Sequence, residues 1–163
     1  MTYHHIAELA REGLKEESNP MLSSTPIIAE VGIAAAYGAV GLALMALGFV
    51  LVDVLTPGNL REQIWLQRNR NASVLLASNL LGVGIIVTTA IRASADAFVA
   101  GLVSAAAYGV LGLVLMGLSF LVLDAVTPGK LGAMLMEDTP HPATWVSSAS
   151  HLAVAAIVAA AIY

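Results

Sequence analysis

Two copies of one short polar motif carry the residue types best suited to chemistry in this sequence. The motif Asp-x-x-Thr-Pro-Gly-x-Leu begins at Asp53 and again at Asp124, with Thr56 and Thr127 three residues further on. Each copy follows a long apolar segment, so each Asp lies near a helix C-terminus, where the helix dipole does not stabilise an anion. If the two motifs meet, their carboxylates would form an entrance for a cation or a docking site for a basic partner.

The same motif also has a structural interpretation. The Pro ends a helix, the Gly permits a turn, and the Thr hydroxyl satisfies carbonyl groups freed at the helix end. Arg61 would then neutralise Asp53, and Lys130 would neutralise Asp124. The functional and the structural interpretation both stay open.

Polar side chains inside an apolar segment form a second candidate site. His151 is the one titratable side chain well inside such a segment; Thr144 and Ser147 share its helical face, with Ser148 beside them. An ionisable residue within a membrane is by default a functional candidate, so His151 is a candidate proton or ion site. The alternative is a neutral His151 bonded to Ser147 or Asn79, and we expect Asn79 to form hydrogen bonds between helices.

Patterns of enzyme catalysis are absent from the sequence. Paired carboxylates at acid–base spacing, a Ser-His-Asp order on one surface and a glycine-rich phosphate loop are all missing. His4, His5 and Glu8 have the right types to hold a metal ion, but they lie in a polar segment that does little to fix their geometry. We therefore expect a non-enzymatic protein with no cofactor and no metal.

Composition and length place these residues in a membrane protein. Hydrophobic residues make up 58% of the 163 residues and charged residues only 11%, against about a quarter charged in soluble domains. The net charge of −4 gives no basic surface for nucleic acid, and the absence of Cys excludes disulfides and thiolate metal sites. A bilayer is spanned by about 20 helical residues. Four apolar segments meet or exceed that length: 27–54, 73–91, 97–125 and 143–163.

The first 25 residues differ from the rest in being polar and acidic. Ile6, Leu9 and Leu14 fall on one helical face, and Glu8 and Arg11 fall on the opposite one. We expect a short amphipathic helix that precedes the membrane domain and is not a cleaved signal, since a basic start and an apolar core are missing.

An internal repeat organises the remainder. At an offset of 71, 16 of the 27 positions from Ala34 to Leu60 are identical to those from Ala105 to Leu131. The chain therefore reads as two copies of a two-helix unit, residues 26–91 and 97–163, within one all-α membrane domain. Because each unit crosses the membrane twice, the copies are parallel, and we expect a pseudo-two-fold axis along the membrane normal.

Small residues form stripes on these helices. Such residues let helix backbones approach closely in lipid. An intramolecular seam and a homo-oligomer seam both stay open, and the partners we expect are lipid, further copies or other membrane proteins. The stripes contain Gly38, Gly41 and Gly48 in the first segment, Ser78 and Gly82 in the second, and Gly109 and Gly112 in the third.

The arginine distribution favours one orientation. Arg61, Arg68 and Arg70 cluster in the first long loop, and positive charge favours the cytoplasmic side. We expect both long loops in the cytoplasm and both termini outside.

Residues 27–163 resemble a bacterial inner-membrane family, the YjfL-like family, or domain of unknown function 350. The resemblance is carried by the Asp-x-x-Thr-Pro-Gly-x-Leu loops, by Tyr37-Gly38 with its copy Tyr108-Gly109, and by Asn71-Ala72-Ser73 before the second helix. The second copy departs from the last pattern, because Pro142 replaces the Asn. The resemblance implies four membrane helices in a bacterial plasma membrane, and it implies no activity.

Two functions fit these observations. The first is a scaffold or accessory subunit of a membrane or envelope assembly. It is favoured by the small-residue stripes, the short loops and the near absence of charge inside the apolar segments. The second is an oligomeric channel or transporter for a small ion or neutral solute, favoured by the repeat, the paired Asp residues and His151.

Overall fold

The computed structural model describes residues 27–94 and 97–163, and within them six helices follow one another. The expected amphipathic helix and the His4, His5 and Glu8 set lie outside the described residues. We number the helices in chain order: α1 (Ile27–Leu55), α2 (Leu60–Trp65), α3 (Arg70–Ala93), α4 (Phe98–Val126), α5 (Leu131–Met134) and α6 (Pro142–Ile162).

The chain divides into two units, residues 1–34 and 35–163. In the first unit, the described residues 27–34 are the opening turns of α1, and Glu30 lies in the first turn. All the packing described below belongs to the second unit.

Four of the helices, α1, α3, α4 and α6, are long and apolar enough to cross a membrane, which confirms the predicted all-α membrane architecture. Their bounds agree with the predicted segments to within two residues except at the start of α3. This helix begins three residues earlier than expected, at Arg70. The reason is a cap: the Asn69 side chain accepts a hydrogen bond from the backbone N–H of Ala72 at 3.0 Å.

Two similar turns end α1 and α4. The hydroxyls of Thr56 and Thr127 donate to carbonyl oxygens four residues earlier, at 2.7 and 2.6 Å. The chain then reverses through Gly58 and Gly129, whose φ angles of 93° and 112° suit glycine. Each turn leads into a short helix, α2 or α5, before the next long helix begins.

Helix α3 is the centre of the packing, because it lies against both α4 and α6. A side chain at Gly82 would collide with Met116 of α4 and crowd Ala155 of α6. Similarly, Ile86 of α3 occupies the space beside Gly112 of α4. These glycines let three backbones approach closely, which is how helices associate within lipid.

Helix α1 is packed more lightly than the others. Leu44 fills the space above Gly109 of α4, and Gly48 lies against Asn79 of α3 and Leu113 of α4. In its long membrane-crossing stretch, only Leu44, Gly48 and Val52 are buried. Most of the surface of α1 is therefore open.

An amide joins the two copies on the loop side. The Asn71 Nδ2 donates to the backbone carbonyls of Glu137 and Thr139 at 3.0 and 2.8 Å, while its Oδ1 accepts the N–H of His141 at 3.1 Å. Asn71 is almost fully buried. We call this set of bonds the amide clamp.

Asn69 adds to the amide clamp by donating to the carbonyls of Met136 and Glu137 at 3.0 and 3.1 Å. At the repeat offset, Pro140 and Pro142 stand in place of Asn69 and Asn71. Proline has no side-chain amide, so this bonding exists once, directed from the first copy to the second. It gives a physical reason for the difference between the two copies at these positions.

Replacing Asn71 with Ala is expected to lower the free energy of unfolding by about 2–4 kcal/mol, because a buried side chain loses three part-buried hydrogen bonds at about 1 kcal/mol each. Reversible unfolding in detergent micelles, followed by circular dichroism, measures this. The matched control is Asn59→Ala, which removes one exposed helix cap at 3.2 Å and is expected to cost about 1 kcal/mol or less. Equal losses in the two variants would contradict a joining role for Asn71.

Candidate functional site

The carboxylate of Asp53 closes the first loop. Its Oδ1 accepts the backbone N–H of Leu60, the first residue of α2, at 2.8 Å. Leu60 is fully buried as a result, and it packs in a cluster with Val52 of α1. An Asp at the end of one helix therefore caps the start of the next.

The same bond occurs 71 residues later. The Oδ1 of Asp124 accepts the N–H of Leu131, the first residue of α5, at 2.7 Å. Leu131 is also buried. The backbone thus supplies the partner in both loops. In the described part of the chain, neither the expected Arg61 nor the expected Lys130 forms an ion pair with these carboxylates.

The two loops also touch at a place separate from the amide clamp. Pro57 of the first lies against Gly132 of the second, where a Cβ would be 2.9 Å from the proline Cδ. A shallow surface pocket beside this contact is lined by Thr56 of the first loop and by Asp124 and Lys130 of the second. The Asp53 and Asp124 carboxylates are both bonded within their own loops. Of the two, Asp124 also lines this pocket beside the first loop, together with Lys130.

A polar cluster lies between α3 and α6, well inside the membrane-crossing stretch. Asn79 and His151 each stand nine residues into their helices, about 14 Å along the axis, near the middle of a bilayer core of about 30 Å. The members of the cluster are all buried: Ser78, Asn79, Thr144, Ser147, Ser148 and His151.

Most polar atoms of this cluster lack a partner. Asn79 donates its Nδ2 to the sulfur of Met116 at 3.6 Å. Within the described residues, the Asn79 Oδ1, the His151 Nδ1 and the hydroxyls of Thr144, Ser147 and Ser148 have no hydrogen-bond partner. The expected bond from His151 to Ser147 or Asn79 is thus not formed among these atoms. Each unpaired buried group costs about 1–3 kcal/mol.

A narrow crevice reaches this cluster from the α1 side. Asn79 and His151 form its polar end, while Leu51, Leu75 and Phe120 line its apolar walls. The crevice has no room for a water-sized sphere. Nor do three or more His, Asp or Glu side chains gather to hold a metal ion anywhere in residues 27–94 and 97–163.

The predicted small-residue stripes have different surroundings. Gly48, Ser78, Gly82, Gly109 and Gly112 are buried between helices. Gly38 has open space where a Cβ would be, and Gly41 has one neighbour, at 4.0 Å. The stripe on α4 is therefore an intramolecular seam, while much of the stripe on α1 is not.

Comparison with known proteins identifies the family. The model of the family described as Domain of Unknown Function (DUF350) matches residues 25–162. A UPF0719 transmembrane protein of Mycobacterium bovis is 36% identical over 141 residues, covering 86% of this chain and 93% of that protein. A UPF0719 transmembrane protein of Mycolicibacterium paratuberculosis is 35% identical over 126 residues, covering 77% and 83%. The chain belongs to the DUF350 family. No solved structure matches it.

The sequence analysis of this DUF350 member missed one contact that the repeat offset reveals. The hydroxyls of Ser119 in α4 and Ser150 in α6 are hydrogen-bonded to each other. Their counterparts 71 residues earlier, Gly48 and Asn79, also face each other, between α1 and α3. Aligning the second helices as well as the first would have shown that these positions correspond.

The two Asp residues allow charge and hydrogen bonding to be separated. An Asn at each position keeps an oxygen that accepts the backbone N–H, so Asp53→Asn with Asp124→Asn is expected to keep the stability of the native protein. Asp53→Ala with Asp124→Ala is expected to lose about 1–3 kcal/mol per site, because a buried N–H is left unpaired. Unfolding in micelles compares the two. An Asn pair as unstable as the Ala pair would show that the negative charge itself is required.

Proposed function

We propose that this protein is a non-enzymatic scaffold or accessory subunit of an assembly in the bacterial inner membrane, and that α1 binds the other members. One observation carries the proposal: α1 exposes a face that the same chain buries elsewhere. We call it the α1 face, and it consists of Gly38, Gly41, Leu42 and Met45. The identical residues on α4 are Gly109, Gly112, Leu113 and Met116.

The two faces differ sharply in exposure. Leu42 is 69% exposed whereas Leu113 is 6% exposed, and Met45 is exposed whereas Met116 is fully buried. Gly109 and Gly112 of α4 are covered by Leu44 and Ile86, while Gly38 of α1 faces open space. A face of two glycines, a leucine and a methionine is thus buried between helices in the second repeat. In the first repeat it is largely exposed, and Val87 of α3 lies 4.0 Å from where a Gly41 Cβ would be.

Contact with lipid alone does not account for this difference. Leu47 and its counterpart Leu118 are both 52% exposed, and they mark the side that faces the bilayer in both copies. Small residues on the α1 face would let another helix approach closely, and packing of this kind holds membrane helices together. We therefore assign the α1 face to another protein chain.

The arginines of the first loop support the orientation that we propose. Arg61, Arg68 and Arg70 are all exposed at the end where α1 leads into α3. Since positive charge favours the cytoplasmic side, both long loops would lie in the cytoplasm and both chain termini outside.

A photo-reactive amino acid at Leu42 tests the proposed binding face. We expect it to give discrete protein adducts in intact bacterial membranes, because a partner helix lies within reach. The same amino acid at Leu47, which is exposed in both copies, is the matched control and should react mainly with lipid. Leu42 and Leu47 giving the same adducts would overturn the proposal.

A second candidate function, transport of a small ion or neutral solute, is favoured by one observation. The unpaired polar atoms around Asn79 and His151 lie in the interior of the membrane domain, where such groups are costly. At the repeat offset His151 corresponds to Leu80, so an apolar residue serves the fold at that position in the first copy.

His151→Leu is expected to keep or raise stability, since it removes a buried group with an unpaired atom. If the cluster carries ions, the variant should lose most of the proton or potassium flux that the native protein supports in liposomes. Leu152→Ala, on an exposed position of the same helix, is the control. Native protein with no more flux than protein-free liposomes would exclude this candidate, and a loss of about 2 kcal/mol or more in His151→Leu would show a structural role.

A further inference from the structure

The face of α3 that covers α4 has a counterpart on α6. Within the chain, Gly82 of α3 lies against Met116 of α4 and also against Ala155 of α6, and Ile86 lies against Gly112. Helix α3 therefore fits between the two helices of the second copy.

At the repeat offset, the same face of α6 is open. Its residues Val146, Ala153 and Ile157 are exposed, whereas the corresponding residues of α3 are buried. At the identical pair, Ile157 is 68% exposed and Ile86 is fully buried. We call this the α6 face, defined by Val146, Ala153 and Ile157.

The receiving surface is present at the other end of the chain. A lipid-facing groove runs between α1 and α3, and its lining includes Met45, Leu81, Gly84 and Thr88. Gly84 has nothing within 4 Å of where a Cβ would be. Gly84 corresponds to Ala155, the residue against which Gly82 packs inside the chain.

These surfaces complete one another. We infer that the α6 face of one molecule docks into the α1–α3 groove of a second molecule of this protein. This contact would reproduce between molecules the contact that α3 makes with α4 and α6 within one molecule. This inference rests on the proposed function and names the partner as a second molecule of the same protein. The corresponding pairs are Ile157 with Gly41, and Ala153 with both Met45 and Gly84.

The arrangement is head-to-tail. Each molecule uses two different surfaces, so the contact is heterologous. It builds a closed ring or an open row of molecules, according to the rotation between neighbours. The α1 face and the α6 face are both open within one molecule, which leaves them to other molecules.

The contact between chains differs in chemistry from the one inside. At the repeat offset, Asn79 corresponds to Ser150 and His151 to Leu80. The amide clamp has prolines at its counterpart positions. Packing of small and apolar residues would thus hold neighbouring chains, which suits faces that meet lipid before assembly.

Cysteine cross-linking tests the geometry directly, because the chain contains no Cys of its own. Met45→Cys in one tagged copy and Ala153→Cys in a differently tagged copy are produced together, and the membranes are oxidised. We expect a disulfide-linked dimer that carries both tags, and a ladder of larger species when one chain bears both substitutions. Leu47→Cys paired with Ala153→Cys is the matched control and should give no such dimer.

Two results would overturn the inference. Efficient linkage of Met45→Cys to itself would show a symmetric dimer, and absence of the mixed dimer would remove the second copy as partner. If the mixed dimer is absent while a photo-reactive group at Leu42 captures a different protein, the proposed function stands and only this inference fails. If Leu42 also gives no adduct, both fail.

A size substitution provides an independent measurement. Gly84→Leu places a side chain in space that is open within the chain, so the monomer should fold and unfold as before. It fills the groove, however, and we expect the dissociation constant between copies to rise by at least about tenfold. Native mass spectrometry in mild detergent measures the oligomer fraction. Ala43→Leu, at a position exposed in both copies, is the control, and equal oligomer fractions in the two variants would contradict the docking site.

Discussion

Lipid tails are as apolar as leucine, so close packing rather than the hydrophobic effect holds the helices of this DUF350 protein together. The approach of α3 to α4 and α6 depends on Gly82 and Gly112, whose missing side chains make room for Met116 and Ile86. The same packing brings the Asn79 amide to Met116 of α4, and Asn71 bonds to the second repeat at the loops. A larger residue at Gly82 would collide with Met116.

The polar side chains of this mostly apolar chain differ in what they bond to. The carboxylates of Asp53 and Asp124 each accept a hydrogen bond from a backbone N–H, which connects the end of one helix to the start of the next. Asn71 satisfies backbone groups that the irregular loop before α6 leaves free. The cluster around His151 differs from both, because its polar atoms are buried without serving a turn or a loop.

Local pattern was sufficient to predict the four membrane helices and the turns at Thr56 and Thr127, since hydropathy, Pro and Gly act over a few residues. The sequence also marked His151 and Asn79 as buried polar residues. It did not predict that a backbone N–H would replace Arg61 as the partner of Asp53, because that bond depends on the path of the loop. Nor was the exposure of Leu42 predictable. Its face-sharing neighbours Gly38, Gly41 and Met45 are identical to those of Leu113, and the position of α3 and α6 tells the two faces apart.

The amide clamp has a consequence for how an assembly of these two-helix units would dissociate. Inside one chain, the two units are joined by the peptide chain and by the contacts of α3 in the membrane. At the loops they are also joined by the hydrogen bonds of Asn71. In the array inferred above, a joint between chains would have prolines at the same place and no peptide link. The weak points of such an array would be spaced two two-helix units apart, and subunit exchange would replace these units in pairs, each with its own amide clamp already formed.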